Sequence, residues 1–216
     1  MDTHSWARDG WADIASKSED DIREYILTGY KAGRKFEPYI LPLLQSTKVR
    51  SILDFGCGLG RNFDGMRSLG AKSYAFDLPE MIKSCAKFGE PGDVTLLDTW
   101  EGVLDRRYDM AMAILVLQHV ADQPEFFQSV TRLSQCSTYL YLCTRVYVDG
   151  TLKNTLSEVL ATRQWEVISS SEAEAGLTHY AHPSENHYDV VLRTKNLEQL
   201  AWSRTRPPIK FSRSPE

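Results

Sequence analysis

Residues 51–62 read Ser-Ile-Leu-Asp-Phe-Gly-Cys-Gly-Leu-Gly-Arg-Asn. A short apolar run bounded by glycine has the make-up of a strand buried on both faces in a parallel sheet. Gly56, Gly58 and Gly60 then follow on alternating positions. Glycines directly after a strand let the chain turn sharply and leave the main chain bare, so a ligand can approach the peptide groups closely. The spacing is Gly-x-Gly-x-Gly, not the Gly-x-Gly-x-x-Gly of dinucleotide sites, and Asp54 precedes the first glycine. This set points away from a pyrophosphate-bearing cofactor and toward an adenosyl group carrying an amino acid.

From Val49 onward apolar strand-like runs alternate with helical stretches, the pattern of βα units and a parallel sheet. Strands are expected at 50–55, 72–77, 93–97, 109–116 and 138–146, the fourth a near-continuous apolar run. A helix after the first strand ends at Gly70, and another after the second carries Pro79 in its first turn and ends at Gly89. A further helix runs over 124–133 with Phe126, Phe127, Val130 and Leu133 on its inner side, and one lies near 151–161. The last strands are expected at 164–170 and 187–194, separated by a polar segment, Ser169 to Asn186, long for a hairpin.

Before Val49, Ser18 and Asp21 form a capping box for a helix with Ile22, Tyr25, Ile26 and Tyr30 on its apolar face. Residues 36–44, with Pro38 and Pro42, read as a short or kinked helix. The domain plan is therefore a helical extension over 1–45, an α/β domain over 46–202, and a basic, proline-containing mobile tail over 203–216.

The 216 residues suffice for one such domain. A formal net charge of −4 argues against bulk binding to nucleic acid, which needs a positive face, without excluding a local basic groove. No apolar run reaches bilayer length and the N-terminus does not read as a secretory signal, so a cytoplasmic location and no membrane partner are expected. Cys57, Cys85, Cys136 and Cys143 are scattered without Cys-x-x-Cys spacing and read as buried reduced thiols.

With Asp77 closing the second strand, Asp98 the third, and Tyr-Asp-Met-Ala-Met-Ala-Ile-Leu-Val-Leu-Gln-His-Val at 108–120 spanning the fourth, the chain resembles the class I S-adenosylmethionine-dependent methyltransferases. The resemblance covers residues 36–195 and is closest to the small, single-domain members. It implies an α/β, Rossmann-like fold with a seven-stranded, mostly parallel sheet, the last strand antiparallel, and helices on both faces. It implies S-adenosylmethionine as cofactor and S-adenosylhomocysteine as product. The turn Gly56, Cys57, Gly58 and Gly60 would pass under the ribose and the methionine part, and Asp54 would order the turn and face the cofactor's ammonium group. Asp77 would accept the ribose hydroxyls, with capping of the next helix as its rival role. Leu78 would lie against adenine, Asp98 with Thr99 would bind the adenine amino group, and Ile114 and Leu115 would line the methionyl part.

Methyl transfer is an in-line displacement on a sulfonium, so the protein must mainly hold a nucleophile against the methyl carbon and exclude water. A base helps when the acceptor is a hydroxyl or a protonated amine. His119 is the candidate base; orienting a loop or capping the next helix are its alternatives. Gln118 could contact cofactor or acceptor. His179, His182 and His187 lack the partners of a structural zinc site, and no metal is expected. Trp6, Trp11, Tyr25 and Tyr30 are candidates for a lid or for simple packing.

No Asn-Pro-Pro-Tyr, Asp-Pro-Pro-Tyr or Pro-Cys follows the fourth strand, no double-acid loop is found, and no Lys-Asp-Lys-Glu set can be placed. These absences leave a small organic acceptor methylated at O, N or C as the leading expectation. The alternatives are an RNA or protein methyltransferase using Lys31, Arg34, Lys35, Lys48 and Arg50 as a basic edge, and a catalytically silent binding subunit. A nicotinamide-dependent oxidoreductase is disfavoured by the glycine spacing. Acceptor identity and oligomeric state are left open by fold and cofactor site alone.

Overall fold

The computed structural model describes residues 16–25, 49–120, 123–145, 147–148, 151–152, 155–167, 181–182 and 185–196. In chain order the helices are α1 (Glu19–Tyr25), α2 (Phe63–Ser68), α3 (Pro79–Phe88), α4 (Trp100–Leu104), α5 (Gln123–Cys136) and α6 (Thr155–Ala161). The main strands are β1 (Ser51–Phe55), β2 (Lys72–Phe76), β3 (Thr95–Leu97), β4 (Tyr108–Ile114), β5 (Ser137–Arg145), β8 (Trp165–Val167) and β10 (Glu185–Thr194). The short strands β6 (Tyr147–Val148) and β7 (Thr151–Leu152) form a hairpin, and β9 (Ala181–His182) pairs with the start of β10.

The sheet runs β3–β2–β1–β4–β5–β10–β8. β1 is parallel to β2 and β4, β2 to β3, and β4 to β5, while β10 is antiparallel to β5 and β8. This is the seven-stranded, mostly parallel arrangement expected from the sequence. Strand order reverses between β1 and β4, and an open α/β sheet offers its ligand crevice at the carboxyl edge beside such a reversal. The carboxyl ends at Phe55, Phe76, Leu97, Ile114 and Arg145 therefore mark one edge.

Period-two alternation splits the core into two layers. Ile52, Met110, Met112 and Ile114 pack with Phe63 and Met66 of α2 and Ile82 and Cys85 of α3. Leu53, Phe55, Ala111, Ala113, Leu140 and Leu142 pack on the other side with Phe126, Val130 and Leu133 of α5 and Val159 of α6. Small Ala111 and Ala113 make room on that face for the α5 aromatic. Trp165 is 1% exposed there, and its Nε1–H donates to Val130 O at 3.2 Å.

Four expectations are corrected. Phe127 is exposed, because 126, 130 and 133 already share the inner stripe and 127 lies about 100° around the helix; its ring meets Phe126 edge-on instead. The fourth strand ends at Ile114, not 116, since Leu115 turns left-handed with φ 57°. The helix near 151–161 starts at Thr155, after the β6–β7 hairpin. Residues 181–182 and 185–186 of the presumed loop are strand. Helix α4 had no counterpart in the sequence reading.

At α1, Asp21 N donates to Ser18 Oγ, whose hydroxyl donates to Asp21 Oδ2 at 2.6 Å, and Ile22 is buried. Residues 36–44, Trp6, Trp11, Ile26, Tyr30, Lys31, Arg34, Lys35, Lys48, His179 and the tail 203–216 lie outside the described residues. All four cysteines are free and buried. Among the described residues no helix is long and apolar enough to cross a membrane, and no group of three His, Cys, Asp or Glu is placed to hold a metal ion.

At the amino edge, Asp109 Oδ2 accepts from Arg50 N at 2.7 Å and Ser51 N at 3.1 Å, pinning β4 to the start of β1. Asp109→Ala leaves these amides without their acceptor and should cost about 1–2 kcal/mol in urea unfolding. An unchanged midpoint would show that water replaces the carboxylate there.

Candidate functional site

The turn after β1 is held by main-chain bonds. Gly56 N and Cys57 N both donate to Phe76 O, at 2.8 and 3.2 Å, and Gly60 N donates to Cys57 O at 3.0 Å. Gly56 has φ 74°, and a Cβ built on it would stand 2.2 Å from Val116 Cγ2. Only glycine fits both the left-handed backbone and that close approach. The residue after β4 thus closes over the turn after β1.

Asp77, half-buried beyond β2, braces this turn from the side. Its Oδ2 accepts from Gly58 N and its Oδ1 from Leu78 N, both at 2.7 Å. The N-cap of α3 is Leu78 and receives no side-chain cap bond, so Asp77 serves the glycine turn rather than the helix. Burial raises the Asp77 carboxyl above its ordinary range, and the two backbone donors oppose that rise. Its remaining lone pairs stay available to further donors.

Asp54 lies deeper, 1% exposed, on the α2 side of β1. Its Oδ2 accepts from Asn62 Nδ2 at 3.1 Å. Asn62 is the N-cap of α2 yet makes no cap bond, because its amide is turned to Asp54. Asp54 Oδ1 and Asn62 Oδ1 are buried and have no hydrogen-bond partner. Burial pushes the Asp54 carboxyl up from 3.8 to about 6, against the opposing pull of Asn62 and Arg61. Two acceptor oxygens beneath a bare turn form a receptor for a donor, best a cationic one.

The Cys57 thiol is buried against Cys85, and that contact together with burial holds it protonated, so it is no nucleophile. Asp98 is exposed at the end of β3, and Thr99 Oγ1 accepts from Gly102 N as the N-cap of α4. Beside them Phe55, Phe76 and Trp100 stack with centroids 4.9–5.7 Å apart, and the Arg132 guanidinium lies 5.0 Å over Trp100. Ile114 is buried at the strand end, and Leu115 N donates to Cys143 O at 2.8 Å. A non-glycine residue held left-handed is strained by about 1–2 kcal/mol, a feature that clusters at functional sites.

His119 ends a single 3-10 turn, Leu117–His119, beyond β4 and is half-buried. A family model described as a methyltransferase domain matches residues 29–203. The chain belongs to this methyltransferase family. Its fold is shared with an S-adenosylmethionine-dependent methyltransferase from Clostridium acetobutylicum ATCC 824, at TM-score 0.59 and 11% identity over 82% of this chain and 99% of that one. Magnesium protoporphyrin IX methyltransferase from Synechocystis PCC 6803, solved with bound S-adenosylhomocysteine, gives 0.54 and 14% over 88% and 95%. Mitomycin 7-O-methyltransferase gives 0.55 and 13% over 85% and 60%. A search of curated proteins found no match.

Around the methyltransferase crevice the structure brings Asp54, Gly56, Cys57, Gly58, Gly60, Asp77 and Leu78 together through the bonds described. Asp98 and Thr99 sit one strand further out, and Ile114, Leu115, Gln118 and His119 come from the β4 end. Sequence reasoning passed over Asn62 and Val116. Asn62 had a signal, an amide two residues past the last glycine of the turn; Val116 had none, since its role is defined by contact with Gly56.

Proposed function

We propose that the crevice binds S-adenosylmethionine and that the enzyme moves its methyl group to an O, N or C nucleophile of a small organic acceptor. The observation that carries this reading is the pair of partnerless buried oxygens, Asp54 Oδ1 and Asn62 Oδ1, below the glycine turn. An unpaired buried carboxylate is costly, and the α-ammonium of a bound amino acid offsets that cost. Asp77 fits the ribose, because its spare lone pairs accept two hydroxyl donors while Gly58 N keeps it aimed. A Cβ on Gly56 would fill the space against Val116, so the turn stays open only with glycine.

Once bound, the cofactor supplies a methyl group activated on a sulfonium. The protein's own part is placement: the Gly56–Gly60 turn and the Leu115 corner hold the donor, and the β4 end presents the acceptor. His119 is the group that holds or takes a proton of that acceptor. The names of two structural neighbours, a mitomycin 7-O-methyltransferase and a magnesium protoporphyrin IX methyltransferase, support a small-molecule acceptor.

Calorimetric titration with S-adenosylhomocysteine tests the reading. Asp77→Ala should weaken binding at least tenfold, about 1.4 kcal/mol or more, for loss of a charge-assisted bond. Equal affinity in both proteins would mean that Asp77 only braces the turn. A screen with labelled S-adenosylmethionine then identifies the acceptor; a steep salt dependence of RNA binding would favour a nucleic-acid substrate instead.

A further inference from the structure

Four polar side chains form a buried chain behind the β4 end. Gln118 is 8% exposed, and Thr144 on β5 and Thr155 on α6 are each 1% exposed. Thr144 Oγ1 lies 3.0 Å from Gln118 Oε1 and 3.3 Å from Thr155 Oγ1, and Gln118 Nε2 lies 3.2 Å from His119 Nε2.

A hydroxyl has one proton, so Thr144 donates to only one of its two neighbours at a time. With Gln118 Oε1 facing Thr144, Thr144 donates to the amide and accepts from Thr155. The amide's NH₂ then faces the imidazole. Two donors cannot share one hydrogen bond, so His119 Nε2 must present its lone pair, and the proton of the neutral ring sits on Nδ1.

We infer that Gln118 is a positioning residue for His119: anchored by Thr144 and Thr155, its amide fixes which ring nitrogen carries the proton. In this polarity the imidazole donates from Nδ1 and can take no proton there. Turning the amide over, with rotation of both threonine hydroxyls, reverses every bond without losing any. His119 Nε2–H then donates to Gln118 Oε1, and Nδ1 becomes the basic nitrogen. The chain thus sets whether His119 grips an acceptor's lone pair or removes its proton. That consequence rests on the methyltransferase reading of His119; the tautomer does not.

Nitrogen NMR of the full chain with ¹⁵N-labelled histidine decides it, at a pH where the ring is neutral and with His119→Asn as the assignment control. Wild type should show a protonated Nδ1 and a bare Nε2. Gln118→Glu presents only acceptor oxygens and should move the proton to Nε2. Thr144→Val should blur the preference, and Thr144→Ser should restore it. A wild-type ring protonated at Nε2, or a tautomer indifferent to Gln118→Glu, would overturn the inference. In turnover, Gln118→Leu should lower kcat about tenfold or more with KM for the cofactor little changed. Loss of kcat and cofactor affinity together would mark Gln118 as merely structural. Wild-type titration with S-adenosylhomocysteine on the same sample reports separately on the cofactor reading.

Discussion

Gly56→Ala should abolish measurable binding of S-adenosylhomocysteine and destabilise the fold by about 2–5 kcal/mol. Two penalties add. The left-handed backbone at φ 74° disfavours any side chain, and the new methyl would overlap Val116 Cγ2 at 2.2 Å and Cβ at 2.7 Å. Either the turn after β1 or the turn after β4 must move, and both line the crevice. Against a typical total stability of about 5–15 kcal/mol, that is a large fraction. Adding Val116→Gly removes every overlapping atom and should return part of the stability, leaving the backbone strain. Urea unfolding and calorimetry check both statements. A Gly56→Ala protein that unfolds and binds like wild type would mean that the two turns are not in contact.

Asp54→Asn should do the opposite to stability while also losing the ligand. Burial holds the Asp54 carboxyl at about 6, against 3.8 when it is free. Below pH 4 the group is protonated in both folded and unfolded chains and contributes no difference. Between pH 4 and 6 the unfolded chain releases its proton and the folded chain keeps it, so folding stability falls as pH rises. Above pH 6 the penalty is complete, on the order of 3 kcal/mol. The neutral amide escapes it. The stability gain of Asp54→Asn should therefore be near zero at pH 4 and grow to about 2–3 kcal/mol by pH 7. Wild-type affinity for S-adenosylhomocysteine should strengthen as pH rises through about 6, because the ligand ammonium needs the ionised carboxylate. A pH-independent difference between the two proteins would show that Asp54 is not buried as an acid.

Buried runs made the sheet readable. Ser-Ile-Leu-Asp-Phe and Tyr-Asp-Met-Ala-Met-Ala-Ile cannot sit at a surface, and their order sets β1 and β4 on either side of the reversal. Asp77 was legible as a strand-end acid, but its bond to Gly58, nineteen residues earlier, follows only from the register of β1 against β2. Helix α4 escaped because five residues show no helical period. The β6–β7 hairpin carried its sign, Asp149-Gly150 between two-residue strands, and was absorbed into a helix that starts later. The left-handed turn at Leu115 has no sequence mark at all. It follows from docking β4 against β5, where Leu115 N reaches Cys143 O. Gln118 was visible as a polar residue beside His119, but not that it turns inward to Thr144, a partner twenty-six residues away.

The most direct test is a crystal structure of the chain with saturating S-adenosylhomocysteine. The expected electron density places the ribose hydroxyls on Asp77 and the ammonium at Asp54 Oδ1, with the Gly56–Gly60 turn unmoved beneath. A crevice empty at saturation, or one that admits a dinucleotide instead, would contradict the account.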